Sequence, residues 1–114
     1  MNIEEFRNYC ISKKNVSEDF PFDKQTLVFK VMGKMFALCD IHFFIRINLK
    51  CEPTFSDELR EQYKGITPGY HMNKKHWNTV SVCSDVPDSL IYKLIDHSYH
   101  LVIKSLPQKI QKTL

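Results

Sequence analysis

Glycine and proline are scarce in this chain, at three and five of 114 residues. That scarcity excludes collagen-like repeats, flexible linkers and strongly disordered segments. None of the four cysteines, Cys10, Cys39, Cys51 and Cys83, stands in a C-x-x-C pair, so zinc-ribbon and zinc-finger spacings are absent. There is no glycine-rich phosphate loop, no G-x-S-x-G and no H-E-x-x-H. No apolar run approaches the roughly 20 residues of a membrane span. The opening Asn2-Ile3-Glu4-Glu5 is acidic and is followed by no apolar stretch, unlike a secretory signal. An acidic excess is missing as well. Sixteen Lys and Arg against thirteen Asp and Glu give +3 and a pI near 8.7. That balance weighs against an acidic iron- or calcium-binding surface. It also falls short of the denser basic excess of many dedicated nucleic-acid binders. The expectation is a cytoplasmic, monomeric protein with reduced thiols, no metal and no cofactor.

What is present is an ordinary globular composition, 43% apolar and 25% charged, at a length that fits one domain over residues 1–114. A helix is predicted over residues 3–13. Asn2 and Glu5 form its capping box, and Ile3, Phe6 and Cys10 share a face. Residues 16–22 read as an irregular loop, because Pro21 pushes Phe20 to extended backbone. Thr26–Val31 and residues 35–40 read as a hairpin around Met32-Gly33-Lys34. Residues 44–51 form a third strand. Its alternation sends Ile45, Ile47 and Leu49 to one face and Arg46, Asn48 and Lys50 to the other. Thr54 is expected to cap a short helix ending near Tyr63, and residues 66–75 read mostly as loop. A fourth strand covers residues 76–82, with Trp77, Thr79 and Ser81 opposite Asn78, Val80 and Val82. The last helix begins at Pro87 and ends at Pro107, where a short terminal helix can start. Leu90, Ile91, Leu94, Ile95, Leu101 and Val102 make its apolar stripe, with Ser98 and Ser105 near the centre. Small residues there let a helix lie close to a sheet. The order α-β-β-β-α-β-α implies an α+β two-layer sandwich, an antiparallel sheet with helices on one face.

The uncovered face is where chemistry is expected. If Ile45, Ile47 and Leu49 face the helices, then Arg46, Asn48 and Lys50 face outward, and so does Trp77. An exposed indole beside cations can stack on a base while the cations neutralise phosphate. The adjoining loop adds Tyr70, His71, Lys74, Lys75 and His76. The leading reading is a non-enzymatic DNA-binding surface. In it Arg46, Lys50, Lys74 and Lys75 contact phosphate, Trp77 stacks and Asn48 hydrogen-bonds. A second reading is a pocket for a small anionic or aromatic ligand between the sheet and residues 66–75, lined by Tyr70, His71 and Trp77. A third is a protein-interaction face on the same strands. A plain solvated sheet face has the same alternation. His71 and His76, five apart, match no metal-ligand pattern. His42, His97 and His100 read as structural, and Asp96-His97 is no dyad, because helix neighbours point about 100° apart.

The segments Thr26-Leu27-Val28-Phe29-Lys30-Val31, Gly33-Lys34-Met35-Phe36-Ala37-Leu38, Asn48-Leu49-Lys50-Cys51 and Leu94-Ile95-Asp96-His97-Ser98-Tyr99, together with Pro68-Gly69-Tyr70-His71-Met72-Asn73-Lys74-Lys75-His76-Trp77-Asn78-Thr79-Val80, resemble the MmcQ/YjbR family of small bacterial proteins. The run from Tyr70 to Asn78 is the most specific part. The resemblance implies a frataxin-like (CyaY-like) α+β sandwich. Members are commonly labelled DNA-binding, a label that rests on fold analogy. The family has no established catalytic residues. The acidic ridge of iron-binding frataxins has no counterpart beyond Glu4, Glu5, Glu18 and Asp19, so iron binding is not carried over.

Overall fold

The computed structural model describes residues 1–70 and 72–114. Helix α1 is Ile3–Ile11, β1 Val16–Asp19, β2 Thr26–Val31, β3 Lys34–Asp40 and β4 Arg46–Lys50. They are followed by α2 Pro53–Gln62, β5 Ile66–Pro68, β6 Trp77–Ser81, α3 Asp88–Ser105 and α4 Gln108–Gln111. The strands form one antiparallel sheet in the order β1-β2-β3-β4-β6-β5. Phe6 and Cys10 of α1, Leu59 of α2, and Ile91, Ile95 and Val102 of α3 pack with Phe29, Ile47, Leu49 and Val80 in one buried cluster. The α+β sandwich is therefore as the sequence implies.

The sheet has two strands more than its pattern announces. Val16-Ser17-Glu18-Asp19 carries one β-branched residue and two acids, a weak strand signal. It pairs with β2 nonetheless, because Val16 packs against the core while the polar residues find partners. Arg7 of α1 donates from Nε and Nη2 to Glu18, and Lys30 lies 3.6 Å from Asp19. β5 is too short to show a period. It is held by its ladder with β6 and by burial of Ile66.

Other boundaries shift for local reasons. α1 keeps its capping box, Asn2 accepting from the Glu5 N–H at 2.8 Å. Lys13 lies past its end and pairs with Asp96 of α3, which also accepts from the Tyr9 hydroxyl at 2.7 Å. The N-cap of α2 is Glu52, not Thr54. Its carboxylate accepts from the N–H groups of Thr54 and Phe55, and Pro53 takes the first helical position, where no N–H is needed. Ile45 does not join the core. It lies outside β4 and is 54% exposed, while Phe44 turns inward against Phe6. Ser105 is exposed and bonds back to the Val102 carbonyl.

Met32 and Gly33 join β2 to β3 with φ of 50° and 80°, the geometry of a two-residue hairpin turn. Further along β3 the register slips. Phe29 faces Ala37 and Lys30 faces Met35, so Phe36 is an inserted residue. Paired contacts between β3 and β4 stop at Ala37 and Leu49. Ser98 of α3, fully buried, fills the gap. Its hydroxyl donates to the Phe36 carbonyl at 2.5 Å and accepts from the Lys50 N–H at 2.9 Å. On the neighbouring turn His97 accepts from the Glu52 N–H through Nε2 at 3.2 Å and stands edge-on to Phe55. An accepting Nε2 requires neutral imidazole.

Two outcomes follow from these contacts. Ser98→Ala leaves a buried carbonyl and N–H without their partner and lowers unfolding stability by roughly 1–3 kcal/mol in urea titration. A loss below a few tenths would show that the serine is mere filler. Burial holds the His97 pKa below its ordinary 6.5. The folded state thus binds a proton less readily than the unfolded chain. This contribution is complete above pH 6.5 and disappears as pH falls through the lowered folded value. Wild type should lose more stability than His97→Leu between pH 7.5 and 5; parallel losses would refute the assignment.

Candidate functional site

β4 and β6 set the register of the uncovered face. Lys50 lies opposite Trp77, Asn48 opposite Thr79 and Arg46 opposite Ser81. The cations and the indole do share the face away from the helices, as the alternation implies. The indole is not exposed there. Trp77 is 6% accessible and packs with Val28 of β2 and Leu38 of β3 in a second small apolar cluster, completed by Met35 and Met72. An indole beside two aliphatic neighbours gains more from burial than from water. It therefore offers no open ring for a base to stack on.

The loop after β5 makes the cover. The Gly69 N–H donates to the Trp77 carbonyl at 2.8 Å, and a side chain at Gly69 would stand 2.8 Å from Trp77 Cβ. A glycine is needed for that approach. Arg60 of α2 clamps the loop's far end, donating to Asn78 Oδ1 at 2.8 Å and to the Lys74 carbonyl at 2.5 Å. Lys74, Lys75 and His76 are exposed, and Lys50 is half-buried with its ammonium 6.0 Å from the centre of the indole. These groups gather at the Trp77 end of the face. Arg46 stands four residues along β4, about 13 Å away at ~3.3 Å per residue. Arg46 thus does not join the other basic groups at the indole. His71 lies outside the described residues.

At the Arg46 end the face is hollowed into a cleft of about 600 Å³. Phe43, Tyr70, Phe22 and Ile45 line it, and at 68, 65, 63 and 54% accessibility they are the most exposed large apolar groups among the described residues. Leu38, Asn48 and Thr79 lie within. Of the nine residues expected to form a site, Arg46, Asn48 and Tyr70 meet here. Lys50, Lys74, Lys75, His76 and Trp77 do not line it. Phe22 and Phe43 carry no periodic signal in the sequence, because each sits in a connection rather than a strand, and the alternation of β4 carried onto Ile45 points it the wrong way, because the strand begins at Arg46.

Two aspartates fix the rim. Asp23 accepts from the N–H groups of Gln25 and Thr26 at 2.8 and 2.6 Å, bending the chain just after Phe22. Asp40 accepts from the N–H groups of His42 and Phe43 at 2.8 and 3.0 Å and from Gln25 Nε2 at 2.6 Å. Gln25–Asp40 ties the two rim loops together. These bonds, the one from Phe43 foremost, hold the Asp40 carboxyl below its ordinary pKa, and backbone N–H groups do the same at Asp23. Inside, the Thr79 hydroxyl donates to Asn48 Oδ1 at 2.7 Å and accepts from the Tyr70 N–H at 2.9 Å. The rim is therefore held in place by the chain's own hydrogen bonds.

Comparison with known proteins places the chain. The YjbR family model matches residues 11–101. The chain belongs to the YjbR family. It is 33% identical to the uncharacterised protein YjbR of Escherichia coli K12 over 115 residues, covering all of this chain and 98% of that protein. It is 34% identical to the uncharacterised Bacillus subtilis protein YyaQ, over 86% of this chain and 95% of the relative. The crystal structure of Deinococcus radiodurans protein DR2400, a DUF419 domain, superposes with a TM-score of 0.92 at 40% identity, over 98% of this chain and 86% of that one. A Pseudomonas syringae crystal structure matches with a TM-score of 0.74 at 32% identity, over 89% of this chain and 98% of that one. The two solved structures share the fold of this chain. Among the described residues no helix is long and apolar enough to cross a membrane.

The rim assignment is checked by amide exchange. Asp40→Ala should accelerate hydrogen exchange at His42 and Phe43 while leaving the centre of β3 unchanged. Unchanged rates at both amides would mean that the loop holds its shape without the carboxylate.

Proposed function

We propose that this YjbR-family protein is a binding module, not an enzyme, and that its open-face cleft holds a small molecule with a flat or branched apolar body. One observation carries the reading: the most exposed large apolar side chains, from three separate connections, gather around a single hollow. Exposed apolar groups scattered singly need no explanation, whereas a convergent set around a concavity does. The volume is in the ordinary range for small-ligand sites.

The DNA-binding reading stands second. Its support is that Arg46, Lys50, Lys74 and Lys75 enter no ion pair among the described residues. With the indole buried, such binding is phosphate contact without base stacking. Four phosphate contacts correspond to a log–log salt slope of about −3.6 on duplex DNA.

Indole and duplex DNA separate the two, each followed by 1H–15N spectra. Indole should shift the amides of Leu38, Tyr70 and Thr79, and Phe43→Ser should weaken it about tenfold, or ~1.4 kcal/mol of lost apolar contact. Shifts spread over the whole surface, or an unchanged affinity in Phe43→Ser, refute the cleft. Salt-dependent shifts centred on Lys74 and Lys75, with indole inert, transfer the assignment to nucleic acid.

A further inference from the structure

We propose that the cleft selects ligands bearing a carboxylate, and that Arg46 with Asn48 reads it; this rests on the ligand-binding reading above and names the chemistry of the ligand's head. Several polar side chains along the lining are already engaged by the chain itself. Asp40 has its two oxygens engaged by two N–H groups and a side-chain amide. The Thr26 hydroxyl is committed to Asp23 at 3.2 Å. The Thr79 hydroxyl donates to Asn48 Oδ1, and its oxygen already accepts from Tyr70. Oδ1 of Asn48 thus already accepts, and the Asn48 group without a partner among the described residues is its NH2, a donor.

Arg46 is the second donor. Cys39 faces Ile47 in the β3–β4 ladder, so Asp40 and Arg46 stand one step beyond at the same end of the sheet. They form no ion pair. Asp40 is instead turned onto its own loop, which leaves the exposed guanidinium without an acceptor among the described residues. The cleft thus presents an apolar body site with two donors two residues apart on β4, about 7 Å along the strand. Both donors call for an acceptor.

The head is further restricted. A carboxylate matches the guanidinium fork with two parallel bonds. A cationic head would meet Arg46 directly. A phosphate dianion would exceed the charge of Arg46 and carry the surplus toward ionised Asp40 in the same lining. A monoanion pairs with Arg46 and leaves one net negative charge in the lining beside Asp40, where the dianion leaves two.

Four probes with one body test this: 3-phenylpropanoate, 3-phenylpropanamide, 3-phenylpropylammonium and 2-phenylethyl phosphate, titrated into the full chain and followed by 1H–15N shifts at Leu38, Tyr70 and Thr79. The propanoate should bind about tenfold or more tighter than the amide, as a charge-assisted pair allows. Arg46→Gln, a surface change checked by circular dichroism, should bring the two within about twofold by weakening the carboxylate alone. Equal binding of carboxylate and amide with cleft-confined shifts overturns the head-group assignment and leaves the cleft standing. So does a preference that survives Arg46→Gln, or tightest binding by the phosphate. Failure of every probe to move the cleft amides overturns the ligand-binding reading itself, and this inference with it.

Discussion

The geometry of the uncovered face depends on one inserted residue and the serine that closes over it. Strand side chains alternate with a period of two, so Met35 and Leu38, three positions apart, would ordinarily point to opposite faces. The insertion at Phe36 brings both onto the open face and sends Phe36 and Ala37 together into the helical core. A bulge leaves backbone groups outside the ladder, and a buried carbonyl without a partner is costly. Ser98 takes the Phe36 carbonyl and the Lys50 N–H at once. It can do so because a serine keeps α3 close enough to touch the sheet. Bulge, serine and helix approach form one device.

The consequence appears on the opposite side of the sheet. Met35 and Leu38, with Val28, make an apolar floor beneath Trp77, and Met72 closes over them. That floor turns an outward-pointing indole into a buried one. It also anchors the loop after β5, whose Gly69 and Tyr70 N–H groups bond to Trp77 and Thr79. The anchored loop then supplies Tyr70 to the cleft wall. A nucleic-acid platform and a walled hollow can thus be built from the same outward residues. Which one results is decided by whether the neighbouring strands are apolar on that face.

Much of this was legible in the residues. The helices, four of the strands, the α+β layering and the facing of Arg46, Asn48, Lys50 and Trp77 follow from periodicity. The family follows from the run between Pro68 and Val80, and the match over residues 11–101 supports it. Burial of Trp77 does not follow from its own strand. The signal lay in β2 and β3, where Leu27-Val28-Phe29 and Phe36-Ala37-Leu38-Cys39 are continuous apolar runs rather than alternating ones. Continuous runs mark strands covered on both faces. β1 escaped because two acids mask a strand whose partners, Arg7 and Lys30, lie in other elements. Ile45 escaped because alternation was carried one residue beyond the ladder.

The cleft escaped for a different reason. Phe22, Phe43 and Tyr70 belong to connections, and an exposed aromatic in a connection has no period to announce it. Their common position is set by Asp23 and Asp40, which read as ordinary turn residues in sequence. Both aspartates spend their acceptors on nearby N–H groups and so stiffen the rim before any ligand arrives. The same commitment keeps Asp40 from Arg46, its neighbour across the ladder. A surface evolved only to be solvated would gain from pairing those two charges, modestly, as surface pairs do. Here the carboxylate is used to hold Phe43 in place and the guanidinium is left open beside it. Apolar walls and the Arg46 fork thus stand around the same hollow, and the placing of Phe43 and the openness of Arg46 both trace to where a single aspartate directs its two oxygens.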